Sequence, residues 1–221
     1  MVALGGYGHR ELAPLFRHRH HVPLSRGSGG DSSGSVPSRC LRHLWDLGFQ
    51  VGYMHGDLQD CIELAPTDLS IRTSMMSARL LTGSPYLFQE FHRRYFREVV
   101  GRGAGPLYRT KVEERRREYE KFGETVYLLE PNVKRSKGGL RDFHLVRWAG
   151  MARFHATTLQ DLADRGFLSR QDLLSLTEAR DFLWRVRAFL HFEAGRAQEI
   201  LTFEEQVRLA SLYGFRIAPT S

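Results

Sequence analysis

Gly5, Gly6 and Gly8 follow directly on a short apolar run, Val2, Ala3 and Leu4. Glycine has no Cβ, so its backbone can approach an anion closely, and successive N–H groups can converge on one phosphate. The stretch therefore reads as a phosphate cradle at the end of a strand, against the plainer alternative of an ordinary strand-to-helix turn. Arg10 comes next, read either as a cation beside those phosphates or as an exposed strand-end residue. A second group comprises Lys134, Gly138, Gly139, Arg141 and Asp142, where glycines and basic side chains meet a helix start. The amides of that helix start suit a phosphate or a partner protein. The competing reading is structural: Asp142 complements the helix dipole and Arg141 pairs with it. His144 and His191 are read as packing residues. His18, His20 and His21 have no cysteine or carboxylate framing them, so they make no metal-ligand pattern.

These residues need elements to hold them. Leu41, Leu44, Trp45 and Leu47 make a helical apolar face closed by Gly48, and Phe49–Tyr53 alternates like a short strand. Asp57–Ala65 is a helix stopped before Pro66. Helix, strand and helix after a phosphate loop suit an α/β nucleotide-binding module. From Thr67 onward the pattern is helical almost throughout. Thr67 or Asp68 caps a helix to about Leu81, and Ser84-Pro85 starts another that Gly101 ends. A charged helix spans about Leu107–Phe122; in it Arg115, Arg116 and Arg117 lie among glutamates and read as a solvated face. After a loop over Glu124–Gly139, helices are expected at Leu140–Ala156, Leu159–Arg165, Arg170–Ala194 and Phe203–Tyr213. Ser169 with Asp172 and Thr202 with Glu205 mark the last two starts. In the longest helix Leu173, Leu176, Ala179, Leu183, Val186 and Leu190 recur as a core-facing stripe, widened by Phe182 and Trp184.

Composition sets bounds. The 221 residues allow one large domain or two small ones, and 42% hydrophobic content is enough for a core. No apolar run is long enough to span a bilayer, and no secretory leader is visible. Cys40 and Cys61 form no framework, which suits a reducing compartment, so a cytoplasmic location is expected. A net charge of +7 raises the question of nucleic acid, but the acidic residues interleaved with the basic ones argue against a nucleic-acid face.

Several stretches together resemble the bacterial PII uridylyltransferase/uridylyl-removing family. They are Leu4–Pro14, Leu44–Gly52, Asp68–Ser74 with Ala78–Gly83, Tyr127–Lys134 with Gly138–His144, and Asp181–Arg187 with Leu190-His191. The resemblance implies a mainly α chain: a remnant of a small α/β nucleotidyltransferase sheet over residues 1–66, then an all-helical domain over 67–221. It also implies transfer of UMP from UTP to a tyrosine of the PII nitrogen-signalling protein, with Mg²⁺ held by an Asp-x-Asp strand. On this resemblance the chain is a front fragment, lacking the family's later phosphohydrolase and glutamine-sensing domains. Gly5, Gly6, Gly8 and Arg10 would then bind nucleotide, and Lys134, Gly138, Gly139, Arg141 and Asp142 would contact phosphate or partner.

One stretch departs from the family pattern. After Pro14 the family has Tyr-Ser-Asp-x-Asp, whereas this chain places Arg17 and Arg19 at the aspartate positions. A guanidinium has no acceptor lone pair, so it leaves nothing for Mg²⁺. The family's arginine after the glycines is His9, and Asp57 is the remaining candidate for a third metal carboxylate. The genetic code accounts for the departure. Leu15 to His21 can be encoded as CTA TTC CGA CAT CGA CAT CAT, and one base later those letters read Tyr-Ser-Asp-Ile-Asp-Ile. Residues 15–39, Ser/Gly/Pro-rich in their second half, are thus expected to be a frameshifted reading, the alternative being a divergent loop. Two functions follow: a uridylyltransferase fragment inactive as written, or a non-catalytic helical module that binds PII.

Overall fold

A computed structural model describes residues 1–14, 35–48 and 56–215. The described residues are mostly helical, with one two-stranded antiparallel sheet, which is the expected mainly α architecture with a sheet remnant. Arg17, Arg19, the histidines at 18, 20 and 21, and the expected strand at Phe49–Tyr53 lie outside the described residues. The described residues divide into two compact units: 1–12, 35–48, 56–108 and 148–155 in the first, and 13–14, 109–147 and 156–215 in the second.

In the first unit β1 (Val2–Ala3) runs into a single helical turn, α1 (Gly5–Gly8). Helix α2 spans Ser35–Asp46, starting well before the expected Leu41; Pro37 falls in its first turn, where no intrahelical N–H is required. Asp57 starts α3 (Leu58–Leu64) with a capping box, its carboxylate accepting from the Gln59 and Asp60 amides. Asp68 caps α4 (Leu69–Met76) by accepting from the Ser70 and Ile71 amides.

Here the expectation of one helix to Leu81 fails. The chain leaves α4 at Ser77 and enters β2 (Arg79–Leu80), pairing Val2 with Leu80 and Ala3 with Arg79. Buried backbone at Val2 and Ala3 needs partners, and that requirement outweighs the helical preference of Ala78 to Leu81. The pairing continues as the Leu81 amide donates to Met1 O at 3.0 Å.

Ser84 and Pro85 start α5 (Pro85–Tyr95) as expected. The helix does not run unchanged to Gly101: Phe96–Val100 form a π-helical stretch, followed by a 3-10 turn at Gly101–Gly103. The wider turn keeps Phe96, Val99 and Val100 buried along with Phe91 and Tyr95. These side chains, with Met75, Met76, Ile62, Leu107 and Met151, form the core of the unit. The buried Tyr95 hydroxyl donates to Arg72 O at 2.6 Å, and Arg72 Nη2 donates to Val99 O at 2.6 Å, tying α4 to the π stretch.

The second unit carries the C-terminal part of α6 (Ala104–Phe122), the start of α7 (Leu140–Phe154), then α8 (Leu159–Asp164), α9 (Arg170–Ala194) and α10 (Phe203–Leu212). Ser169 and Thr202 cap α9 and α10 through the Asp172 and Glu205 amides, as the spacing predicts. The long stripe of α9 is buried only toward its C-terminal end, at Val186 and Leu190, where Val133 and Leu209 meet it. Ala179 and Phe182 are exposed, so the amphipathic pattern overstates that face. The solvated face expected of α6 also fails at one residue. Arg116 and Arg117 are exposed, but Arg115 is buried at 3% exposure.

Candidate functional site

The glycine turn is held from one side by the α4–β2 junction. A Cβ on Gly8 would lie 1.9 Å from Ser77 O, so only glycine permits this approach. Gly5 has φ +55, a left-handed backbone that also favours glycine. His9 Nε2 shares a hydrogen bond with Ser77 Oγ, which gives His9 a structural use. Arg79 donates from Nη2 to Tyr7 O at 3.0 Å and from Nε to Gly8 O at 3.4 Å, with its guanidinium 5.2 Å from the Tyr7 ring centre. A cation at the carbonyl end of the turn complements the local dipole. The later amides are used within the turn: Gly8 N donates to Leu4 O, His9 N to Gly5 O and Glu11 N to Gly6 O. Among the described residues, the Gly5 and Gly6 amides at its head make no hydrogen bond within the chain. Arg10 is exposed, with its backbone left-handed at φ 62. Ser77 and Arg79 are the residues that motif reading alone undervalued. The Ala78–Gly83 stretch signalled their region but not their role.

The second candidate group is a tightly closed loop. Asn132 Oδ1 accepts from the Lys134 and Arg135 amides, and Ser136 Oγ joins Asn132 N to Phe122 O. Gly139 packs so closely that a Cβ would sit 2.9 Å from Ser136 O. The amides at the start of α7 are already taken: Leu140 N donates to Val133 O, Arg141 N to Lys134 O and Asp142 N to Gly139 O. The Gly138 amide goes to Asp142 Oδ2 at 2.7 Å. An anion at this loop would therefore meet the Lys134 and Arg141 side chains rather than backbone. Asp142 is engaged structurally, with Oδ1 accepting from Arg115 Nε at 2.9 Å and from the Tyr119 hydroxyl. Arg115 also pairs with Glu118 and donates to Arg135 O and Ser136 O, so it closes the loop from α6. Arg141 is not Asp142's ion-pair partner among the described residues; burial lowers its pKa, while Glu118 favours its charge.

Lys134 belongs to an ionic cluster in which Arg187 and His191 are buried and Lys134 and Glu199 partly so. Its Nζ lies 3.6 Å from Glu199 Oε1, and Arg187 holds the same carboxylate through Nε and Nη2 at 2.8 and 2.7 Å. Burial, then the Arg187 charge, lowers the Lys134 pKa to about 8, against the pull of Glu199. Burial pushes the Glu199 carboxyl up, but Arg187, Lys134 and His191 outweigh it and hold it below the usual range. His191 is fully buried with Nε2 3.7 Å from Glu199 Oε1, and burial lowers its pKa.

Asp57 is committed to capping α3. Among the described residues no three His, Cys, Asp or Glu side chains converge as a metal site, and no described helix is long and apolar enough to cross a membrane. The glycine turn lies in the first compact unit and the Lys134–Asp142 loop in the second.

Comparison with known proteins gives two findings. A family model described as GlnD PII-uridylyltransferase matches residues 107–220. A bifunctional uridylyltransferase/uridylyl-removing enzyme of Photobacterium profundum is 37% identical over 219 residues, covering 97% of this chain. The chain spans about a quarter of that relative's length, 24%.

Proposed function

The chain belongs to the GlnD PII-uridylyltransferase family, and from that premise we propose that it carries the nucleotide-binding opening and helical domain of such an enzyme but does not transfer UMP as written. In this reading residues 1–66 are the nucleotidyltransferase part and 67–221 the helical domain. The Gly5 and Gly6 amides receive the phosphates of UTP, with Gly8 and Arg79 fixing the turn and Arg10 beside it. The observation that carries the reading is this pair of amides, left without acceptors among the described residues, at the head of a turn whose other end is held by Arg79.

The family's reaction moves UMP from UTP to a tyrosine of PII, and Mg²⁺ would supply charge for the acceptor oxygen and the leaving pyrophosphate. The residues present do not fit that ion. Arg17 and Arg19 occupy the aspartate positions, and guanidinium groups repel a cation. No step is therefore assigned to it. Residues 15–39 are read as frameshifted, because a one-base shift restores Tyr-Ser-Asp-Ile-Asp-Ile. Resequencing the DNA decides this: codons that exclude the shifted reading overturn it.

The functional test combines the chain with UTP, Mg²⁺ and PII in the cytoplasm-like, reducing buffer that its two cysteines call for. No labelled UMP on PII is expected; turnover would overturn the reading. A second reading is a non-catalytic module that docks PII. It is favoured by the family match at 107–220, away from the glycine turn. Binding of PII without transfer, by the same chain, supports it.

A further inference from the structure

The loop ending at Lys134 is held by a segment that follows α9. Val133 N donates to Glu199 O at 2.8 Å, Leu201 N donates to Pro131 O at 2.9 Å, and Asn132 bridges Ile200 between them. The Glu199 side chain turns to the same place. Arg187 grips it with two parallel bonds, a geometry that fixes the plane of the carboxylate. Lys134, by contrast, is a point charge on a flexible four-carbon stem. Of the pair, Glu199 is the anchored member and Lys134 the one that is placed, with Nζ 3.6 Å from Oε1.

We propose that Glu199 is a positioning residue for Lys134: gripped by Arg187, it holds the Lys134 ammonium charged and in place to meet a phosphate group. The inference rests on the reading of Lys134 as a phosphate contact. Its physical basis is the charge around the amine. Arg187 on α9, Arg141 on α7 and Arg135 in the loop all disfavour the ammonium, as does burial, and among the described residues the Glu199 carboxylate opposes them. His191 faces the same Oε1 from α9 at 3.7 Å, beyond ordinary hydrogen-bond length. Without the carboxylate, Lys134 would shed its proton and lose its use to an anion.

The test reads the protonation of Lys134 directly in the full chain. Acetic anhydride pulses over a pH series, followed by mass spectrometry, give the acetylation midpoint of Lys134, with exposed Lys137 as internal reference. A midpoint near 8 is expected for the wild type. It should fall by about one unit or more in Glu199→Gln, as expected when an opposite charge within reach is removed. Glu199→Asp, which keeps the charge at a greater distance, should fall between. A purely structural Glu199 would weaken folding without moving the midpoint. An unmoved midpoint in a folded Glu199→Gln chain overturns the inference. A wild-type Lys134 that acetylates with the profile of Lys137 overturns it as well, whether or not the variant folds. Protection of Lys134 by added UTP addresses the underlying reading separately: a shifted midpoint without protection leaves the positioning role standing and removes the phosphate contact.

Discussion

Arg115 separates what charge patterning suggests from what packing does, and its substitution gives the sharpest test. Its side chain is 4% exposed, while those of Arg116 and Arg117 are 71% and 72% exposed on the same helix. Arg115→Met would remove the ion pair to Asp142 at 2.8 Å, the pair to Glu118, and the donors to Arg135 O and Ser136 O. Breaking one side of a buried pair costs ~3–5 kcal/mol. Asp142 and Glu118 are about a quarter exposed, at 26% and 24%, and Asp142 keeps Tyr119 and Gly138 as donors. Water thus recovers part of the loss, and ~2–3 kcal/mol is the expected cost. For a chain of this size that is a fall in Tm of roughly 5–10 °C. Arg117→Met, at an exposed site, should stay within ~0.5 kcal/mol of wild type. Thermal and urea unfolding of the full chain, followed by far-UV circular dichroism, compares the two. If both variants melt together, the buried cluster does not close the Lys134–Asp142 loop and the reasoning fails.

Other expectations follow from the same geometry. Gly8→Ala drives a Cβ into Ser77 O and should cost ~2–3 kcal/mol in urea unfolding, whereas Gly6→Ala, whose nearest neighbour is at 3.4 Å, should cost much less. Tyr95→Phe removes the hydroxyl that satisfies Arg72 O, and a loss of ~1–2 kcal/mol should appear as a lower urea midpoint at unchanged slope. Glu199 and His191 both have lowered pKa values, so each contributes stability above its unfolded value and loses it as pH falls through its folded value. Stability should therefore begin to decline just below pH 6.5, the ordinary histidine value, and fall again below 4.5 as Glu199 protonates. Burial lowers the His92 pKa as well, so His191→Phe should shrink the first decline and His191→Phe with His92→Phe should shrink it further, both keeping the second, as read by melting temperature against pH.

Much of the fold is legible in the sequence where the deciding interactions are local. Asp57, Asp68, Ser84, Ser169 and Thr202 each cap a helix through an amide two or three residues on, so position and residue type suffice to place those starts. The bounds of α9, Arg170–Ala194, follow from its cap and from Gly195 in the left-handed region at φ 59. The glycine turn is legible for a related reason: glycines directly after an apolar run allow a left-handed backbone, such as φ 55 at Gly5, and the close approach that other residues resist.

What the sequence cannot rank is competition between distant partners. Arg79 and Leu80 belong to a helical pattern until Val2 and Ala3 claim their backbone. The charges around Arg115 look solvated until Asp142 reaches it from α7. The stripe of α9 is continuous, but only the end that meets Val133 and Leu209 is buried. The candidate site divides along the same line. Its glycines and basic residues are determined by the sequence, because residue type limits backbone freedom and charge. Which amides stay open, and which carboxylate holds Lys134, only the tertiary structure decides. Those outcomes depend on groups far apart in the sequence that folding brings within a few ångströms, such as Gly8 with Ser77 and Lys134 with Glu199.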